Sequence, residues 1–445
     1  MSTTDDSKVV EQSPEAQLDD LPTVENRPQP HKKAYWAALG TVYWALFVFG
    51  INDGSLGPMI PAYQRYYQVG YTTVALIFVL SSTGAVLASI ANVWLSGRIN
   101  FSKLLALSAL CQITAYAILS TGPPFPLVCV AYFILGCGLA LLNAHANGFL
   151  SMLKNPSVMG VGHAIYGAGA LVSPLIATQF AQFTGRRWAY FYFILLFGVI
   201  VNLTLYVVVF RGKEYDEILS EISVVATETT AGEVNSTPHI SSDVEGPRSD
   251  DPIAPPSFAS IMKQPSIHLM ALFAFVYVGA EVTLGGWIVT FIIRERHGGP
   301  SSGYVSTGFF GGLTLGRVAL LCVNKTIGER RVIFIYTLIG IALDITIWFT
   351  PSLIGNAIAV SFIGMALGPM YPIVMSQAGH VIPQRMLTGS IGWISGFGCA
   401  GAAVIPFVTG ALAGRWGIQA LQPFILILMS IMGVLWFFVP AAPKR

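Results

Sequence analysis

Apolar residues in this chain gather into blocks of 20 or more positions divided by short polar stretches. A helix needs about 20 mostly apolar residues to cross a bilayer core. Read at that scale, the sequence predicts twelve spanning helices, at 35–60, 71–96, 103–121, 125–150, 162–183, 188–210, 266–293, 303–323, 331–350, 354–379, 390–412 and 421–440. One interval is far longer than the rest. Residues 212–264 are rich in Ser, Thr, Asp, Glu and Pro, too poor in apolar surface to fold, and are expected to form a disordered linker. The predicted fold class is an all-α membrane protein with twelve transmembrane helices in two sets of six. The expected organisation is a cytosolic tail over 1–33, a six-helix bundle over 34–211, the linker over 212–264, a second bundle over 265–441 and a short tail at 442–445.

Composition supports that class. Hydrophobic residues make up 54% of the chain and charged residues 10%, against about 25% charged in soluble domains. The net charge of +2 and the lack of a long basic run give no reason to expect nucleic acid. Cys111, Cys129, Cys137, Cys322 and Cys399 lie in apolar stretches without CxxC spacing, so neither a disulfide framework nor a metal site is expected. No HExxH, GxSxG or GxxxxGK[ST] segment is present, which argues against a hydrolase and against an ATP-driven cycle. No cofactor is expected.

Basic residues set the expected orientation. With a cytosolic N-terminus, the inner side holds Lys32, Lys33, Arg98, Lys103, Lys154, Arg211, Lys213, Lys263, Lys325, Arg330, Arg331, Arg385, Lys444 and Arg445. The outer side holds Arg65, Arg186, Arg187, Arg294, Arg296 and Arg415. The imbalance puts both termini and the linker in the cytosol. The expected location is the plasma membrane, as a multi-pass monomer.

The two halves match at a constant shift of 228 residues (from 53 to 281). FVFGINDGSLGPMI from Phe47 aligns with FVYVGAEVTLGGWI from Phe275, so Asp53 meets Glu281, Ser55 meets Thr283 and Gly57 meets Gly285. The same shift pairs Gly84 with Gly312, Lys103 with Arg331, Gly136 with Gly364 and Asn143 with Tyr371. A parallel duplication of six-helix halves is the architecture of major facilitator transporters.

Further motifs carry the resemblance. GINDGSLGPMIP in helix one, GCGLALLNAHANGFL in helix four, HAIYGAGALVSP in helix five and YVGAEVTLGGWIVTFI in helix seven resemble the sugar–proton symporters of the fucose permease and bacterial glucose/mannose type. Gly97-Arg98, Gly316-Arg317 and Gly328-Glu329-Arg330-Arg331 resemble the cytosolic loop motif that latches the halves together in that superfamily. The resemblance implies gating or latch roles for Arg98, Arg317, Arg330 and Arg331, with Arg317, closer to the membrane, better placed for a specific ion pair. The first copy lacks the usual acidic residue, which implies a weaker latch. Members of the group often carry a carboxylate in helix four where this chain has Asn143, which shifts the expected proton route to Asp53 and Glu281.

A charge in the bilayer costs several kcal/mol, so an intramembrane carboxylate is a functional candidate by default. Asp53 and Glu281 sit at equivalent depths in helices one and seven, which line the central cavity in this superfamily, and are the expected proton-coupling pair. Asn143 and Asn147 share a helix face, and their amides suit hydroxyl groups; with Asn52 they are expected substrate contacts. His145 points about 200° away from Asn143 on the helix wheel and is expected to face another helix. Tyr277, Tyr371, Gln377 and Trp393 complete the expected substrate set, since aromatic rings stack on sugar C–H faces. His163 opens helix five as a candidate gate. Trp287 is expected to pack between helices, and Asp344 to serve the scaffold of helix nine.

The function expected is secondary active transport of a small sugar-like solute, with protons and the lipid bilayer as the other partners. Proton-driven efflux of a small organic compound is the alternative. It is weakened because the helix-five segment Gly169–Pro174 has Ser173 where drug antiporters carry a second glycine. A nutrient sensor ranks third, because the linker is too short for an obvious signalling domain.

Overall fold

Eleven helices among the described residues are long and apolar enough to cross a membrane, and one pair bent by 51° supplies a twelfth crossing. The computed structural model describes residues 32–153, 155–212 and 262–441. In chain order the crossings are α1 (Lys32–Tyr67), α2 (Leu76–Leu95), α3 (Phe101–Ser120), α4 (Phe125–Met152), α5 (Pro156–Ala181) and α6 (Phe191–Leu205). The second set is α7 (Pro265–Glu295), α8 (Tyr304–Ala319), α9 (Glu329–Phe349), α10 (Leu353–Val381), α11 (Gln384–Trp416) and α12 (Leu421–Phe438). No strand occurs among the described residues. Nearly all of the expected tails and linker lies outside them.

Helices α1–α6 pack on one another, and α7–α12 do the same, with each crossing in one half recurring in the other. A methyl group on Gly84 would meet the carbonyl of Phe133, and one on Gly312 would meet the carbonyl of Ser361. Likewise Gly136 abuts Ser81 and Gly364 abuts Phe309. Each partner pair keeps the 228-residue shift, so the α2–α4 and α8–α10 crossings are the same joint built twice. Small residues at such joints let backbones approach where no hydrophobic effect drives helices together. Gly84→Val and Gly312→Val are each expected to lower the thermal midpoint of purified protein, with overpacking costing about 1–3 kcal/mol. Gly379→Ala, at a glycine with nothing within 4 Å, is the control. Equal midpoints for all three would remove the joint.

Two breaks shape the second half. The α8 helix ends at Leu320, whose ψ of 0° takes the chain out of the helical ladder before Leu321–Ile327 continues at the new angle. Within α10 the helix is interrupted at Gly368-Pro369. Pro369 and Pro372 have no N–H to give, so the carbonyls of Met365 and Gly368 lose their i+4 donors.

The halves meet chiefly at one end. There Gly57 packs on the Gly285 carbonyl, Gly303 on the Thr178 side chain, and Gln179 Nε2 donates to the Tyr304 hydroxyl. Thr72 Oγ1 donates to the Gly410 carbonyl at 3.3 Å. At the opposite end, where α4 finishes and α5 begins, Asn143 and His163 remain exposed.

Candidate functional site

Asp53 lies midway along α1 and accepts two hydrogen bonds. The Tyr166 hydroxyl of α5 donates to Oδ2 at 2.6 Å, and the neighbouring Asn52 Nδ2 donates to Oδ1 at 3.1 Å. Asn52 in turn accepts from the Tyr116 hydroxyl of α3 at 3.1 Å. Close approach of α5 makes this possible: Gly50 and Gly54 face the carbonyls of Tyr166 and Ala170, with no space for a side chain. The glycines of helix five and helix one are therefore the means by which a tyrosine from one helix reaches a carboxylate on another.

Glu281 occupies the repeat-equivalent position on α7. Arg317 Nη2 of α8 stands 3.8 Å from its Oε1, with the two side chains 26% and 22% exposed. Arg317 Nε also donates to the Gly368 carbonyl at 3.4 Å, one of those left without a helical donor by the prolines of α10. The guanidinium thus ties α7, α8 and α10 together through a carboxylate and a broken helix. Tyr277, one turn before Glu281, donates to the Leu367 carbonyl at 3.1 Å and stacks on Tyr371 at 6.2 Å. The Tyr371 hydroxyl pairs with Ser395 Oγ of α11 at 3.2 Å. Across the seam between the halves, Asp53 lies within electrostatic reach of Glu281, and Tyr166 within reach of both Glu281 and Arg317. His163 lies within electrostatic reach of the same Arg317.

The sequence-derived candidates divide into those this constellation includes and those it leaves out. Asn52, Asp53, Glu281, Arg317, Tyr277 and Tyr371 belong to it. Asn143 and Asn147 bond each other, Nδ2 of Asn147 reaching Oδ1 of Asn143 at 2.7 Å, and reach none of its members by a hydrogen bond. Trp393, two residues before Ser395 on α11, packs on Phe397 and His268. Gln377 is 3% exposed here, and its Nε2 donates to the Pro440 carbonyl at 2.7 Å. Tyr277, at 1% exposure, offers a solute almost no surface in this arrangement. His145 meets Asn92 of α2 at 2.9 Å, and Trp287 donates to the Pro406 carbonyl at 3.1 Å; both face neighbouring helices as the helix wheel predicts.

Two of the other motif arginines find their partners locally. Arg98 lies over the Trp94 ring at 3.9 Å, and Arg330 donates to the Phe437 carbonyl at 3.3 Å, each within its own half. Arg331 is exposed.

Tyr116 was not legible as a site residue, because a tyrosine in an apolar helix has no signal distinguishing hydroxyl use from core packing. The Pro369-x-x-Pro372 spacing did carry a signal for the free carbonyls that Arg317 exploits.

Residues 42–320 match the family model described as the Major Facilitator Superfamily. The chain belongs to the Major Facilitator Superfamily. It is 27% identical over 413 residues to "Bypass of stop codon protein 6" of Saccharomyces cerevisiae, covering 88% of this chain and 80% of that one. It is 23% identical over 411 residues to a "Glucose/galactose transporter" of Brucella abortus, covering 87% and 90%. The crystal structure of a D-xylose-proton symporter superposes with a TM-score of 0.71 at 9% identity, over 91% of this chain and 98% of that one; this likeness is one of fold. This member of the superfamily is a multi-pass membrane transporter, and its polar constellation lies where the two halves of the fold meet.

Proposed function

We propose that this transporter moves a small polar, sugar-like solute by alternating access, coupled to protons at Asp53 and Glu281. The observation that carries the proposal is one carboxylate from each half at repeat-equivalent positions, within electrostatic reach of each other across the seam, each with its own hydrogen-bonding or cationic partner. Protonating Glu281 releases Arg317, and protonating Asp53 changes what Tyr166 and Asn52 can donate to, so proton uptake alters contacts on both sides of the seam at once. The seam is held at one end and apart at the other, which is one of the two states that alternating access requires. Asn52, Tyr371, Asn143, Asn147 and Trp393 offer amides and aromatic faces of the kind a polyhydroxylated solute uses, and His163 stands at the mouth beside Arg317. Similarity in fold to a D-xylose-proton symporter and in sequence to a glucose/galactose transporter supports the solute class.

In this proposal the bundles at 34–211 and 265–441 rock against each other within a single chain, both termini are cytosolic, and the plasma membrane is the working location. The test is proteoliposomes loaded with a pH-sensitive dye and challenged from outside with hexoses, deoxyhexoses and polyols. Acidification triggered by one of these solutes is the expected result. A folded protein that stays silent across the panel, yet exports a hydrophobic metabolite against a proton gradient, would replace uptake of a sugar with efflux.

A further inference from the structure

Asp344 lies on α9, outside the constellation at the seam, with 0% exposure and no hydrogen-bond partner on either carboxylate oxygen. Gln422 on α12 is in the same condition: 0% exposed, with both amide atoms unpartnered. Buried polar atoms without partners are uncommon and call for a cause.

The internal repeat places these two residues together. At the 228-residue shift Asp344 is the counterpart of Tyr116. For α6 and α12 the shift is 230 residues (from 192 to 422), as the fully buried pairs Leu195/Ile425, Val199/Met429 and Tyr206/Trp436 require. Gln422 is then the counterpart of Tyr192. In the first half those two tyrosine rings stack at 6.2 Å, so Asp344 and Gln422 project into one space in the second half. Helices α9 and α12 pack directly, with Gly340 against Met429 and Gly433 against Thr337. The space around the pair is apolar: Tyr63 and Tyr132, whose hydroxyls meet Tyr192 in the first half, correspond to Phe291 and Val360.

We propose that Asp344 is a resident proton-binding site in the core of the second bundle, held as the neutral acid and hydrogen-bonded to Gln422 directly or through one water. The chemistry of the two groups selects this protonation state. A neutral carboxyl has one O–H to give to Gln422 Oε1 and a carbonyl oxygen to accept from Nε2, so donors and acceptors match on both sides. An ionised carboxylate has no donor, leaves Oε1 unsatisfied and buries an uncompensated charge, which is strongly unfavourable. No cation is at hand to offset that cost. The α12 helix carries no titratable side chain, and the α10 crossing carries only Tyr371 and His380 in its second segment. On α9 itself Glu329, Arg330, Arg331 and Tyr336 lie two or more turns toward the other end, beside Lys325 of the Leu321–Ile327 segment. Arg296, which reaches the end of α9 nearest Asp344, donates to the carbonyls of Ile347 and Trp348 at 2.7 and 3.0 Å. A water bridging the two groups would find polar atoms on both sides. The site does not depend on which solute is transported.

The test is infrared spectroscopy of the purified full-length protein at neutral pH in H2O and D2O. A protonated-carboxyl stretching band is expected in the wild type, lost in Asp344→Asn and retained in Asp53→Asn and Glu281→Gln. Gln422→Leu is expected to move that band to higher frequency, because the carboxyl loses a partner. Asp344→Asn, isosteric with the neutral acid, is expected to keep the wild-type thermal midpoint. Absence of a band assignable to Asp344 overturns the proposal. So does failure of Asp344→Asn to fold while Gln422→Leu folds without shifting any band, which would mean that the ionised carboxylate is needed. A thermal midpoint raised by sodium in the wild type and not in Asp344→Asn would make the site one for a cation instead.

Discussion

Replacing Asp53 with Asn is expected to abolish solute-driven proton entry in proteoliposomes while exchange of labelled solute across the membrane continues. The substitution keeps the size of the side chain and removes its ability to take up and release a proton. It disturbs the local network little. An amide at position 53 can still accept from Tyr166, but its Nδ2 then faces the Nδ2 of Asn52, whose Oδ1 already accepts from Tyr116. One hydrogen bond is lost, worth about 0.5–1.5 kcal/mol, which lowers stability modestly and leaves the folded population intact. Coupling is lost altogether, so the two effects separate in one experiment: dye response against solute exchange. Undiminished acidification in Asp53→Asn would take Asp53 out of the proton route.

Arg317→Gln is expected to destabilise the protein, and the double variant Arg317→Gln/Glu281→Gln to recover most of the loss. Removing one member of a buried ion pair costs about 3–5 kcal/mol, chiefly because the other charge stays buried and unpaired. The 3.8 Å separation and the partial exposure of both side chains place this pair below that range, at about 1–3 kcal/mol. Neutralising Glu281 as well removes the stranded charge, so the single substitutions should not add. The measurement is the thermal midpoint of the wild type, both single variants and the double variant in the same detergent. Additive losses would show that Arg317 and Glu281 act independently and that the Gly368 carbonyl is the contact that matters for Arg317.

The fold was legible because a bilayer leaves few choices. Backbone polar groups must be satisfied within each crossing, so block length reports helix number directly, and a carboxylate in register in both halves reports the duplication. The glycines at 84, 136, 312 and 364 could be paired from the sequence, and the structure shows why: each pair marks one joint made twice. The candidate site was legible in part. Asp53 and Glu281 stood out because a charge in hydrocarbon demands a reason, and Arg317 because it lay closer to the membrane than the other motif arginines. The bond from Gln377 to the Pro440 carbonyl was not legible, because a polar residue on a cavity-lining helix looks the same in sequence whether its amide meets a solute or a backbone carbonyl.

By itself the sequence determined the class, the number of crossings, the six-plus-six duplication and the identity of the two seam carboxylates, since each follows from spacing along one chain and the cost of polar groups in lipid. The tertiary structure decided what those groups touch. That Tyr166 and Tyr116 serve the Asn52–Asp53 corner, that Arg317 spans Glu281 and the Gly368 carbonyl, and that Asp344 and Gln422 are buried without hydrogen-bond partners all depend on packing between residues far apart in the chain. Helix periodicity gives the face a side chain occupies; which neighbour fills that face is set by how closely the backbones approach, and here that distance is governed by glycines and proline breaks on the partner helices.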